Sequence, residues 1–137
     1  MWKYFIKSGK LYNHKEKHVG TGYSGWDDGD GVPEPGEGKN DPSKVSVRSV
    51  GPLPPGKWNI GPPFFHTTAG PYTMRLLPQK GTETHGRSGF LIHGDSGKDP
   101  GTASHGCIVL RRELRMLIWE SYDHELEVLP GVDPDPK

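Results

Sequence analysis

Two short segments of the chain hold residues that can do covalent chemistry. Phe90-Leu91-Ile92 is a compact apolar run that stops at His93-Gly94, and Ser104-His105-Gly106 leads into Cys107-Ile108-Val109-Leu110. A short apolar run is expected as a buried strand, here one that delivers His93 to its polar end. If the second apolar run pairs with the first in one sheet, His93 and Cys107 meet at its rim. That is the layout a cysteine nucleophile needs. The thiolate is the reactive form, and a free thiol with a pKa of about 8.5 is mostly protonated at neutral pH. A neighbouring imidazole can take that proton and later give it to a leaving amine. Gly106 allows a tight turn before the nucleophile. Such a turn can aim the Gly106 and Cys107 N–H groups at a developing oxyanion.

Taken singly, these residues have plainer roles. A free cysteine is most often a small buried hydrophobe, and a histidine at a strand end is most often a satisfied polar residue. The combination of His-Gly with His-Gly-Cys reverses that balance. His93, His105 and Cys107 also have the ligand chemistry of zinc. Only three such groups converge in the sequence and no carboxylate is placed with them, so neither a metal nor another cofactor is expected. His14, His18, His66, His85 and His124 have no comparable context and are expected as exposed or capping residues.

Short strands must position the pair. Trp2, Tyr4 and Ile6 alternate with Lys3, Phe5 and Lys7, and Ser8-Gly9-Lys10 reads as a turn into Leu11-Tyr12, so residues 2–13 are expected as a hairpin. Further strands are expected at Val45–Arg48, Lys57–Ile60, Tyr72–Leu77, Phe90–Ile92, Ile108–Leu110 and Glu125–Val128. Leu114, Leu117, Ile118 and Tyr122 recur at helical spacing, which predicts one helix over about 111–122. Residues 26–43 read as a long acidic Gly/Pro loop that covers or flanks the cleft. Its acids do not keep the spacing of a calcium loop, because Val32 and Pro33 follow Asp28 and Asp30. Residues 94–103 form a second loop, with Pro100 and Gly101 in it. Residues 130–137 read as a frayed tail after one domain spanning 1–129.

Composition sets the frame. Twenty Gly and 14 Pro among 137 residues make about a quarter of the chain, against roughly 12% in average proteins. Four Trp, five Tyr and four Phe, with a net charge of zero, argue against a disordered chain. Cys107, the lone cysteine, cannot form an internal disulfide. Balanced charge gives no electrostatic footprint for nucleic acid or an anionic membrane. The longest apolar runs, such as Met116–Trp119, are far short of the roughly 20 residues of a spanning helix. The N-terminal residues lack the pattern of a conventional signal peptide. The expectation is a protein made in the cytoplasm and exported by another route.

His93-Gly94 followed by Ser104-His105-Gly106-Cys107 resembles the signature of L,D-transpeptidases of the YkuD-like fold. Gly22-Tyr23-Ser24-Gly25, Gly51-Pro52-Leu53-Pro54-Pro55-Gly56, Gly86-Arg87-Ser88, His93-Gly94-Asp95 and Cys107-Ile108-Val109-Leu110 are similar to one branch of it. That branch holds the L,D-transpeptidase toxin effectors delivered by type VI secretion. The resemblance runs from about residue 2 to 129. It implies a mainly β, sandwich- or barrel-like fold with one helix after Cys107. Enzymes of the cell-wall-maintenance branch usually carry Arg two positions after the cysteine. Here that position is Val109, with Arg111 and Arg112 slightly further on.

The resemblance also implies a reaction. Cys107 would attack the third residue of a peptidoglycan tetrapeptide stem, expel the terminal D-alanine and hold a thioester. Water, a D-amino acid or a second stem would resolve it, giving L,D-carboxypeptidase, exchange or transpeptidase activity. His93 would serve as base and acid, with the Gly94 carbonyl orienting its ring. Gly106 and Cys107 would supply the oxyanion donors, and Ser104 and His105 would shape the loop and touch the stem. Tyr23, Ser24, Arg87 and Asp95 are the candidates for substrate binding, Arg87 through a carboxylate. The expected setting is a monomer active in the periplasm of a target cell, with an immunity protein and secretion proteins as partners. A phage-associated or housekeeping L,D-transpeptidase, or a non-catalytic peptidoglycan-binding module, are the alternatives. A papain-like peptidase is disfavoured because there the cysteine precedes the histidine.

Overall fold

A computed structural model describes residues 1–30, 32, 34–99 and 101–131. Gly31, Pro33 and Pro100 of the two predicted loops, and residues 132–137 of the predicted tail, lie outside the described residues.

The chain opens with the expected hairpin, β1 (Trp2–Phe5) and β2 (Lys10–Tyr12), paired antiparallel with Tyr4 opposite Leu11. Trp2, Tyr4 and Ile6 point into the core, as their alternation requires, and Phe5 is buried as well. Next come β3 (His18–Thr21), β4 (Tyr23–Ser24), β5 (Gly56–Ile60), β6 (Phe64–His66) and β7 (Gly70–Pro78). The remaining elements are β8 (Leu91–His93), β9 (Ile108–Val109), helix α1 (Arg112–Glu120) and β10 (Glu125–Leu129). The fold is mainly β with one α-helix, as the sequence indicates. Strands β3, β4 and β6 are additions to the predicted set.

The ten strands form one mixed sheet in the order β3-β2-β1-β10-β5-β7-β8-β9-β4, with β6 paired to β7 beside this path. Its two ends, β3 and β4, are consecutive in the chain and separated only by Gly22. The sheet therefore rolls up until its ends come together. Gly22 makes this approach possible: a Cβ there would lie 2.1 Å from the Val109 carbonyl oxygen, a contact no side chain tolerates. The first strand and the last, β1 and β10, run parallel with Trp2 opposite Leu126 and Tyr4 opposite Val128.

Tyr4, Ile6, Leu11, Leu53, Trp58, Met74, Ile92, Ile108, Leu110, Ile118, Leu126 and Val128 form the fully buried centre. Burying a side chain of this size contributes roughly 1.5–3 kcal/mol. Trp58 donates its indole N–H to the Pro54 carbonyl at 3.1 Å and meets Phe90 edge to face at 5.2 Å. Helix α1 covers the core with Leu114 and Ile118. Glu113 in its first turn suits the positive end of the helix dipole. The helix ends where Tyr122 turns left-handed at φ 61°.

One sequence expectation is corrected. Residues 45–48 are not a strand: Pro42–Lys44 form a 3-10 turn capped by the Asp41 carboxylate, and tight turns follow to Val50. The Val45 carbonyl is taken by Arg87 at 2.6 Å, so this segment is shaped by a tertiary contact. The acidic loop after Trp26 is tied back to the body of the fold through Trp26, Gly38 and Asn40. Trp26 N–H donates to the Val50 carbonyl at 2.9 Å, Gly38 N–H to the Trp26 carbonyl at 2.8 Å, and Asn40 N–H to the Ser24 carbonyl at 2.7 Å.

Candidate functional site

The two apolar runs do pair. Strands β8 and β9 lie side by side in parallel, Ile92 opposite Ile108 and His93 opposite Val109. Cys107 therefore sits level with Leu91, one step before β9. Ile92 and Ile108 face the core, and Leu91, His93 and Cys107 line one open cavity of about 610 Å³. His93 is brought to this cavity by a strand whose neighbour on the other side is β7.

Inside the cavity the His93 ring is fixed. Its Nδ1 lies 2.7 Å from the Gly94 carbonyl oxygen. A carbonyl only accepts, so Nδ1 carries the proton and Nε2 is the basic nitrogen. Burial lowers the His93 pKa below the usual imidazole value, the Gly94 carbonyl opposes this, and the Arg115 guanidinium pushes it further down. Burial pushes the Cys107 thiol up to about 11, against the Leu91 backbone N–H and the Arg87 charge, which favour the thiolate. The resting pair at neutral pH is thus a thiol beside a neutral imidazole. No hydrogen bond joins the two among the described residues. The shared cavity is what brings them together.

The loop before Cys107 is held by one hydroxyl. Ser104 is fully buried. Its Oγ accepts from Gly25 N–H at 2.9 Å and Gly106 N–H at 3.2 Å, and donates to the Cys107 carbonyl at 2.6 Å. The Gly106 N–H is therefore committed to Ser104, where the sequence reading offers it to an oxyanion. Gly106 itself has φ 134°, and a Cβ there would lie 2.4 Å from Arg87 Nη2. His105 is exposed, with Nδ1 2.9 Å from the Ser49 carbonyl oxygen and its ring stacked near Trp26.

The residues expected to bind substrate have other partners. Arg87 is buried, and its two terminal nitrogens donate to four carbonyls: Val45, Pro52, Gly51 and His105, at 2.6–3.3 Å. All four terminal N–H groups are spent, so the expected carboxylate fork is not on offer. Ser24 is fully buried, accepts the Leu53 N–H at 2.8 Å and points its hydroxyl at the Gly106 carbonyl. Tyr23 donates its hydroxyl to Asp95 Oδ1 at 2.5 Å and accepts the Ala103 N–H at 2.9 Å. Asp95 also accepts from Ser96 and Gly101 N–H, at 2.8 and 3.0 Å. Together Tyr23 and Asp95 clamp the 94–103 loop from both ends. Asp95 lines the His93 cavity, while Tyr23 and Ser24 do not.

Two residues at the site had no signal in the sequence. Arg115 is buried on α1, where it donates to the Leu110, Pro71 and Tyr72 carbonyls at 2.8–3.0 Å. A Cβ on Gly94 would lie 2.8 Å from its Nη2, so the glycine after His93 lets this cation pack beside it. His66 lines the cavity and lies near enough to His93 to act on its charge. Its Nδ1 accepts the Thr68 and Ala69 N–H groups, each at 3.0 Å, so its own proton is on Nε2. His66 caps its own turn, and its place in the cavity depends on the β6–β7 pairing.

A second cavity, of about 350 Å³, lies on the other side of Cys107 and has His105 and Cys107 in common with the first. Elsewhere, the carboxylates of Asp28, Asp30, Glu34 and Glu37 gather within 4.8 Å of one another in the acidic loop. Hydrogen bonds and charge from Asp28 and Asp30 push Glu34 up to about 7. His93, His105 and Cys107 do not converge in this way.

A rolled mixed sheet that brings a histidine and a cysteine to one cleft defines a mainly β protein with a cysteine–histidine site. The family model of the Tlde1 domain matches residues 21–130, and the chain belongs to that family. These are type VI secretion effectors with L,D-transpeptidase-like activity, the family the motifs resemble. Comparison with curated proteins and with solved structures gave no match. Effectors of this family are delivered into target cells. Among the described residues no helix is long and apolar enough to cross a membrane.

Proposed function

We propose that the protein removes or exchanges the terminal D-alanine of peptidoglycan tetrapeptide stems through a thioester on Cys107. The observation that carries this reading is the fixed His93 ring, with Nδ1 on the Gly94 carbonyl, in the cavity that Cys107 lines. His93 Nε2 takes the thiol proton as Cys107 Sγ attacks the carbonyl of the third stem residue. The C–N bond to D-alanine breaks, and His93 returns the proton to the leaving nitrogen. Stem binding dries the cleft and draws the imidazole to the sulfur, as catalytic hydrogen bonds often tighten only in the complex. The Cys107 N–H is the donor left for the oxyanion, since the Gly106 N–H is held by Ser104. Water, a D-amino acid or a second stem then opens the thioester.

Residues 1–129 act as one catalytic unit in this reading, which the pairing of β1 with β10 supports. The setting is the periplasm of a target cell, with an immunity protein guarding the producer. Incubation with purified muropeptides and mass spectrometry of the products tests the reading. Loss of one D-alanine from tetrapeptide stems is expected, and intact tetrapeptides after long incubation would reject it.

A further inference from the structure

The 350 Å³ cavity beside Cys107 is unusual in charge. Arg48 and Arg87 line it together with Ser49, Ser88, His105 and Cys107, and no Asp or Glu is among its lining residues. Arg87 is a buried cation bonded only to neutral carbonyls, with no carboxylate partner among the described residues. Arg48 is exposed at the cavity wall and makes no ion pair among them. The 610 Å³ cavity on the other side is mixed, with Asp95 and Lys98 in its wall. A desolvated positive charge without a counter-ion, next to a free guanidinium, favours an anionic ligand.

We infer that this smaller cavity binds the free α-carboxylate of the amino acid expelled from the stem as Cys107 is acylated, with Arg48 making the direct contact. The inference rests on the proposed reaction and assigns the two sides of the nucleophile. The stem's acyl part and the leaving nitrogen lie within reach of His93, and the α-carboxylate of the departing amino acid points toward Arg48. The leaving D-alanine is the one part of the stem that carries a carboxylate adjacent to the broken bond. Arg87, its terminal N–H groups occupied, contributes a fixed field rather than a hydrogen bond. By reversibility, a free D-amino acid that opens the thioester enters the same cavity. Its amine then forms the new amide, and the sulfur recovers its proton through His93.

The test compares two tetrapeptide stems, one ending in D-alanine and one ending in D-alaninamide. The wild-type protein should prefer the free acid by roughly tenfold or more in kcat/KM, mainly through KM, as expected for a lost charge-assisted bond. Arg48→Glu and Arg48→Gln should remove that preference, with melting temperatures confirming that both variants fold. Equal use of the two stems by the wild type, or a preference kept in both variants, would overturn the inference. Failure of the wild type to cleave either stem is a different result. It would reject the proposed reaction itself, and the assignment of this cavity with it.

Discussion

His93 holds its ring by a 2.7 Å hydrogen bond to the carbonyl of the very next residue, Gly94. This contact fixes the tautomer without a carboxylate. A backbone carbonyl cannot ionise, so the orientation of the base is independent of pH. What varies with pH is the state of Nε2 and of the thiol.

The directions of these two shifts set a pH profile. His93 is lowered, so its basic form persists below the ordinary imidazole range. Activity should therefore hold through pH 6.5 and fall only on further acidification, as Nε2 takes a proton. Cys107 is raised to about 11 in the free protein, so its alkylation by iodoacetamide should still be accelerating between pH 8 and 10. An alkylation rate already flat at pH 7 would indicate a preformed thiolate and contradict this state of the pair.

Arg87 should matter for folding more than for substrate. Arg87→Ala strips the donors from four carbonyls, three of them in the Val45–Pro52 segment. Unsatisfied buried acceptors cost about 1–3 kcal/mol each, so a loss of roughly 3 kcal/mol or more is expected in urea unfolding. Arg87→Lys should recover little of it, because an ammonium does not reproduce the fork. A variant within 0.5 kcal/mol of wild type, a rough surface-mutation value, would show that the network is not formed.

Gly106 carries a double constraint, its φ of 134° and the 2.4 Å approach of Arg87 Nη2 to any Cβ. Gly106→Ala is therefore expected to lower the melting temperature and to slow D-alanine release together. It moves both the arginine and the loop that presents Cys107. Unchanged melting and unchanged turnover would contradict this backbone geometry.

His66 can be tested by separating its turn cap from its place in the cavity. In His66→Asn the side-chain oxygen can still accept the Thr68 and Ala69 N–H groups, while the imidazole ring that lines the cavity is lost. Stability close to wild type with a raised KM is the expected outcome. If His66→Asn binds stems normally, the residue only caps its turn.

Much of the site was legible because its signals are local. Phe90-Leu91-Ile92-His93-Gly94 and the run after Cys107 are short apolar segments with chemical residues at their ends, and their pairing follows from burying both. The hairpin of residues 2–13 and the α1 helix declare themselves by period. Strand β4 is two residues long between glycines, so no period can appear in it. Strand β6 is equally hidden, because Phe64-Phe65-His66 gains its order from β7. The apparent strand at 45–48 is overridden by Arg87, which lies 42 positions away. Arg87 itself shows why single charges mislead: its carbonyl partners come from two separate stretches, Val45–Pro52 and His105, that only the fold assembles.

The assignment of Cys107 as the nucleophile has the most direct test. The protein is mixed with tetrapeptide stems, quenched in acid within seconds, digested, and the Cys107 peptide is weighed. The expected result is a transient mass increase equal to a tripeptide acyl group, with no acylation and no D-alanine release in Cys107→Ala. D-alanine release that continues in Cys107→Ala at the wild-type rate would contradict it.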